Sequence, residues 1–207
     1  MNSIYTTEFS KSAQRYLTKL NMVFTADILD QVEEFSKHLL DAWVAHQQVF
    51  ICGNGGSAAN ALHIANDLHY GIGACGSEPV VPGIRVEALP ANTGIITCLA
   101  NDTGYENIYA NQLNVRANKS DVLIALSGSG TSGNIIKAIK TAKSLQMKSL
   151  AILAFSGGEC KDLADLAIHF PIDDMQIAED TQLIIGHLCM QWLNKHKPQN
   201  LQPRSNG

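Results

Sequence analysis

Two stretches of the chain hold the residue types from which anion sites are built. Gly53-Asn54-Gly55-Gly56-Ser57 and Ser127-Gly128-Ser129-Gly130-Thr131-Ser132-Gly133 each mix glycines with hydroxyl or amide side chains. Glycine lets a backbone approach an anion closely, and the free N–H groups at a helix start point at it. The second stretch offers four hydroxyls within six residues, Ser127, Ser129, Thr131 and Ser132, a density of neutral donors suited to a phosphate monoester. Either stretch alone also reads as a tight turn with a helix cap; the two together favour a ligand site. Gly53-x-Gly55-x-x-Ala58 mimics a dinucleotide fingerprint, but that site needs an acidic residue at the next strand's end, roughly 20 residues on. Gly71, Gly73 and Gly76 occupy that region, and Glu87 falls in the middle of the next strand. No Gly-Lys-Ser/Thr occurs, so a Walker A loop is absent.

The surrounding pattern positions these turns. Apolar runs at Gln48–Cys52, Arg85–Leu89, Asp121–Leu126, Ser149–Phe155 and Leu166–Phe170 read as strands. Helical stretches run over Ala58–Leu68, Asn134–Leu145 and Gln176–Asn194, and 71–84 reads as a loop rich in Gly and Pro. Strands alternating with helices through short loops predict an α/β fold, a parallel sheet covered on both faces. Both turns then lie at carboxyl ends of strands, where such sheets bind ligands. Residues 3–46 contain neither Gly nor Pro and read as helical, with Ile28, Leu29, Val32, Phe35, Leu39, Leu40 and Trp43 at helical spacing. This segment, with Phe24, Phe35 and Trp43, either packs inside its own domain or offers an oligomer surface. The polar, proline-bearing end at 195–207 is expected to fray. No internal domain boundary is visible, so 1–207 reads as one domain with 1–46 as its helical lead.

Composition narrows the class. The 207 residues are 45% hydrophobic and 16% charged, a balance that favours a packed interior over disorder. A net charge of −4 argues against a general nucleic-acid surface. No apolar stretch approaches the roughly 18 residues that span a bilayer, and the N-terminus lacks an export-signal pattern. The five cysteines are scattered, with no C-x-x-C pair, which fits a reducing compartment and a cytoplasmic protein.

Three motifs in order, Cys52-Gly53-Asn54-Gly55-Gly56-Ser57-Ala58-Ala59-Asn60-Ala61, Leu99-Ala100-Asn101-Asp102 and Leu126-Ser127-Gly128-Ser129-Gly130-Thr131-Ser132-Gly133-Asn134, closely resemble the sugar isomerase (SIS) family. Within it they are most similar to the phosphoheptose isomerases, and the resemblance extends from the N-terminal helices to about Leu193. It implies a five-stranded parallel sheet in a helical sandwich, assembled as a homotetramer with active sites at subunit interfaces. It implies a sugar phosphate held by Ser127, Gly128, Ser129 and Ser132, with Asn54, Gly55, Gly56, Ser57 and Glu179 near the sugar or phosphate, and Asn101 and Asp102 lining the same pocket. The family's metal positions fall on His63, Asp67, Glu179 and His187, which implies zinc or another divalent ion. His63 and Asp67, four apart, share a helix face, and Glu179 and His187 lie about two turns apart on another helix. Two nitrogens and two carboxylates form a plausible zinc donor set.

The resemblance also implies aldose–ketose isomerisation at C1/C2, sedoheptulose 7-phosphate to glycero-manno-heptose 7-phosphate through an enediol, with Asp67 and His187 as the acid–base pair. Four positions depart from the family pattern: Asp67 stands for Glu, Glu179 for Gln, Gly71 for Arg and Gln176 for Asp. Asp67 is one methylene shorter than Glu, a retraction of roughly 1.5 Å, yet it keeps a carboxylate, so a modified site is expected. Two alternatives stand beside this reading: isomerisation of a different phosphosugar, and a non-catalytic SIS regulator of the kind that partners the replication initiator DnaA. The regulator has no need of His63, Asp67, Glu179 and His187 together. The expected partners are therefore a sugar phosphate and further copies of the chain, with neither membrane nor direct nucleic-acid contact.

Overall fold

A computed structural model of the chain describes residues 2–76, 78–199 and 201, with side chains from Thr7 onward; residues 202–207 of the expected tail lie outside them. Five strands, β1 (Gln48–Gly53), β2 (Arg85–Ala88), β3 (Val122–Ser127), β4 (Lys148–Leu153) and β5 (Leu166–His169), form one sheet in the order β2-β1-β3-β4-β5. Every neighbouring pair is parallel, with Ile51 opposite Ile124, Ile124 opposite Leu150 and Ile152 opposite Ile168. Alternate residues serve opposite faces. Val49, Ile51, Ile124, Leu126 and Ile152 enter one core, and Phe50, Cys52, Leu123, Ala125 and Leu153 enter the other. Burial on both faces explains why these strands are nearly continuous apolar runs.

The first core is covered by α1 (Asn2–Val23), α2 (Ala26–Val44), α3 (Gly56–Asn66), the short α4 (Ile72–Ala74) and α9 (Met175–Lys195). The second lies under α6 (Ala110–Arg116), α7 (Gly133–Ser144) and α8 (Gly158–Leu163), with α5 (Thr93–Thr103) at its margin. Thr25 caps the start of the second helix: its hydroxyl accepts from the Ile28 N–H at 3.3 Å, and Asp27 complements the helix start. The stripe Ile28, Val32, Phe35, Leu39 and Trp43 is buried. Phe35 and Trp43 are therefore core residues of their own chain and no oligomer surface; Trp43 even spends its indole N–H on the Pro82 carbonyl at 2.9 Å. Among the described residues, the large apolar side chains left in solvent on α1 and α2 are Phe9, Leu17, Met22, Leu29 and Val44.

Between β2 and β3 the chain forms α5 and α6, joined by a 3-10 turn at Tyr105–Asn107, where the sequence showed no clear element. The reason is physical: α5 buries no residue, so it carries no core stripe to read. Strand order reverses between β1 and β3. The two glycine-rich turns leave the carboxyl ends of those two strands and flank the crevice that such a reversal opens. No helix among the described residues is long and apolar enough to cross a membrane.

Candidate active site

Asn54, Gly55 and Ser57 of the first turn face Ser127, Gly128, Ser129 and Ser132 of the second across a cavity of about 230 Å³. Glu179, in the first turns of α9, completes the wall. Two further residues contribute that sequence reasoning missed, Leu126 and Met175. Met175 sits against the bare Gly128, its Sδ 2.7 Å from where a Cβ would be. It opens the final helix, outside any glycine motif, so no local signal marks it.

The two turns are furnished differently. At the start of α3, the Glu179 carboxylate lies so close to Gly56 that a Cβ there would overlap it. A helix N-terminus favours negative charge, and here a carboxylate of the same chain lies beside one that has no side-chain cap hydrogen bond. The second turn stays open. Ser127 Oγ accepts from the Gly130 N–H at 3.1 Å, while Ser129 Oγ accepts from the Thr131 N–H at 3.3 Å and its hydroxyl at 3.0 Å. Ser132, at the N-cap of α7, makes no side-chain cap hydrogen bond. The first turn of α7 therefore keeps donors for an external anion.

A second group of predicted residues converges further along the same helices. α3 and α9 run side by side in one direction, with successive contacts Gly56–Glu179, Asn60–Gln182, Ile64–Gly186 and Gly71–Met190. Gly186 allows the approach, since a Cβ there would meet Ile64 at 2.7 Å. At Asp67 the helix widens into a π turn, Asp67–Gly71, a feature frequent at functional sites. His63 Nε2 and His187 Nε2 lie 2.9 Å apart, and Asp67 Oδ2 is 3.4 Å from the first and 3.6 Å from the second. Asp67 is 17% exposed, against 48% and 44% for the two imidazoles.

Three donor atoms in so small a triangle fit a cation. Tetrahedral zinc with bonds of about 2.0–2.1 Å places its ligand atoms roughly 3.3 Å apart, and the three separations straddle that value. Among the described residues this is the group of His, Cys, Asp or Glu able to share an ion. Glu179 is not part of it: eight residues from His187 along a helix is about 12 Å, and its carboxylate instead lines the cavity. Asn101 and Asp102 do not line the cavity. They lie exposed on α5, where Asn101 Nδ2 donates to Asp102 Oδ1 at 2.8 Å. Gly71 is buried, with the Met190 methyl 2.9 Å from where a Cβ would begin, and Gln176 is exposed at the start of α9.

Three of the five cysteines are masked. Burial pushes the Cys52 thiol far above its ordinary range and raises Cys160 and Cys189 to about 11, so these three pack as small protonated hydrophobes. Glu87, the acidic residue nearest a dinucleotide position, is paired with Arg116.

The chain is similar to known proteins in sequence and in fold. A family model described as SIS domain matches residues 8–154. A phosphoheptose isomerase of Helicobacter pylori is 37% identical over 169 residues, covering 81% of this chain and 85% of that one. Another, from a Nitratiruptor species, is 34% identical over 190 residues, covering 91% and 94%. The fold matches the structure of phosphoheptose isomerase from Neisseria gonorrhoeae with a TM-score of 0.79 at 21% identity, over 94% of this chain and 100% of that one.

Proposed function

This chain belongs to the SIS domain family, among its phosphoheptose isomerases, and from that premise we propose that it is a phosphosugar aldose–ketose isomerase whose substrate is sedoheptulose 7-phosphate. The observation that carries the reading is the convergence of Asp67, His63 and His187 about two helical turns along α3 and α9 from a serine-rich cavity. A regulator needs the cavity and has no use for the convergence.

The phosphate belongs to the second turn. Its hydroxyls and the open start of α7 supply neutral donors, whereas the Glu179 carboxylate repels an anion from the first turn. Asn54 and Glu179 then meet sugar hydroxyls. Asp67 removes a proton from C1 of the ketose, giving an enediol, and returns it to C2; His187 moves the proton between the two oxygens. Half-burial of Asp67 keeps bulk water from competing for that proton. The site residues fit a divalent ion, held by His63, Asp67 and His187, with zinc the first candidate. When bound, it polarises the carbonyl and hydroxyl oxygens. Exposed Leu62, Tyr70 and Leu188 on the helices bearing this cluster support a subunit interface there, within a homotetramer. The five free cysteines support a cytoplasmic setting.

The test is aldose formation from sedoheptulose 7-phosphate, with purified protein loaded with zinc and with the same protein after chelation. Metal-dependent turnover is expected, and His187→Ala should abolish it while sugar-phosphate binding persists. A folded protein that binds the ketose phosphate and forms no aldose would sink the reading in favour of a regulator or another phosphosugar.

A further inference from the structure

We propose that Asn134 and Tyr105 are positioning residues that lock the Asn54 carboxamide, so that it meets the sugar as a hydrogen-bond donor and never as an acceptor. The inference rests on the sugar-phosphate reading above and deepens it. Asn54 lines the cavity, whereas Asn134 is only 2% exposed and lies behind it, in the first turn of α7. The two carboxamides form a closed ring: Asn54 Nδ2 donates to Asn134 Oδ1 at 2.8 Å, and Asn134 Nδ2 donates to Asn54 Oδ1 at 2.8 Å. The Tyr105 hydroxyl adds a third bond, donating to Asn54 Oδ1 at 3.0 Å.

The donor and acceptor inventory then decides what Asn54 offers. A carboxamide oxygen has two lone pairs and its nitrogen two hydrogens. Asn134 and Tyr105 take both lone pairs, and Asn134 takes one hydrogen. A single N–H is left for the cavity. It selects an oxygen presenting a lone pair, and with the phosphate assigned to the second turn that oxygen belongs to the sugar chain.

The clamp is itself built in. Tyr105 rides on the 3-10 turn at Tyr105–Asn107, which Glu106 ties to α7 through Lys137 at 3.8 Å. Four residues on, the Tyr109 hydroxyl donates to the Gly53 carbonyl, the backbone just before Asn54. Burial pushes that hydroxyl's pKa well above the ordinary range, so it stays a donor. Strand β1, helix α7 and the 3-10 turn thus fix one side chain from three directions, the kind of support that holds a binding group to its working geometry.

The experiment is a double-mutant cycle on the zinc-loaded protein, reading kcat and KM for sedoheptulose 7-phosphate, its Kd by calorimetry, and Tm. Asn134→Ala should lower kcat/KM roughly ten- to hundredfold, with the same division between kcat and KM as Asn54→Ala. In the Asn54→Ala background it should cause no further loss, because it acts through Asn54. Tyr105→Phe is a safe variant at a half-exposed site and should lose about two- to tenfold, the worth of one net hydrogen bond. Asn54→Asp keeps the acceptor and removes the donor, so it should be as poor as Asn54→Ala. Additive losses in the double variant, or an Asn54→Asp protein as active as wild type, would overturn the proposal. Wild type that binds the ketose without turnover breaks the isomerase reading alone, and the cycle is then read on Kd. Wild type that neither binds nor turns it over breaks both.

Discussion

The two glycine-rich turns are near copies in residue type and opposites in use. Each follows a central strand and opens a helix, yet the first has its helix start filled by Glu179 and its amide side chain clamped by Asn134 and Tyr105. The second keeps an uncapped Ser132 and an open row of hydroxyls. A glycine–serine signature therefore specifies a close backbone approach and leaves open what makes it. In the first turn a carboxylate of the same chain does so; in the second, the proposed function assigns that role to a phosphate.

Perturbing each turn separately breaks or sharpens that contrast. The largest effect is expected at Gly130, whose φ is +69° and whose missing Cβ would fall onto the Gly157 carbonyl. Gly130→Ala combines left-handed strain with a backbone clash and should lower stability by about 3 kcal/mol, on the order of 10 °C in a thermal melt. Next comes the phosphate cradle. Ser127→Ala with Ser129→Ala should weaken sugar-phosphate binding by about a hundredfold or more, each lost charge-assisted bond being worth about 1.5 kcal/mol or more, read as Kd by calorimetry. Retained affinity would place the phosphate elsewhere.

Gly56→Ala probes the first turn with a smaller and more selective effect. Its Cβ displaces the Glu179 carboxylate, the mobile end of a side chain, so the fold survives. Activity should drop by about tenfold while Tm holds or rises slightly, since alanine favours a helix more than glycine. A fall in Tm with kcat/KM intact would show that Glu179 has only a structural role.

The smallest effect concerns how α1 holds α9, the helix that carries Glu179. The Tyr16 hydroxyl donates to Asp180 Oδ2, and Lys19 pairs with Asp174 at 3.2 Å. Burial, then the bond to Asp180, raises Tyr16 from 10.0 to about 12. The folded chain thus holds this proton more tightly than the unfolded chain does. The stabilisation is complete below pH 10 and fades as pH rises toward 12. Tyr16→Phe should flatten that alkaline decline in Tm; an unchanged decline would assign it to other groups.

Much of this was legible in the sequence because it is local. Apolar runs gave all five strands to within two residues at either end, and the glycine turns marked the crevice at the β1/β3 reversal. The four-residue spacing of His63 and Asp67 placed them on one face, where the structure brings them to His187. Non-local facts stayed hidden. Nothing near Glu179 shows that it turns away from His187 to rest on Gly56, because a shared helix face does not mean a shared point in space. The Asn54–Asn134 ring joins residues eighty apart, and α5 escaped notice for want of a buried stripe. Helical spacing alone leaves Trp43 open to a partner, whereas its indole N–H is bonded to the Pro82 carbonyl of its own chain.

The division of labour between the turns is tested most directly by running isomerisation of sedoheptulose 7-phosphate with inorganic phosphate as competitor, in wild type, Ser129→Ala and Asn54→Ala. Turnover by wild type is expected, with competition by phosphate that weakens about tenfold or more in Ser129→Ala and an unchanged inhibition constant in Asn54→Ala. Equal weakening in both variants, or a wild type that turns over no ketose, would contradict that expectation.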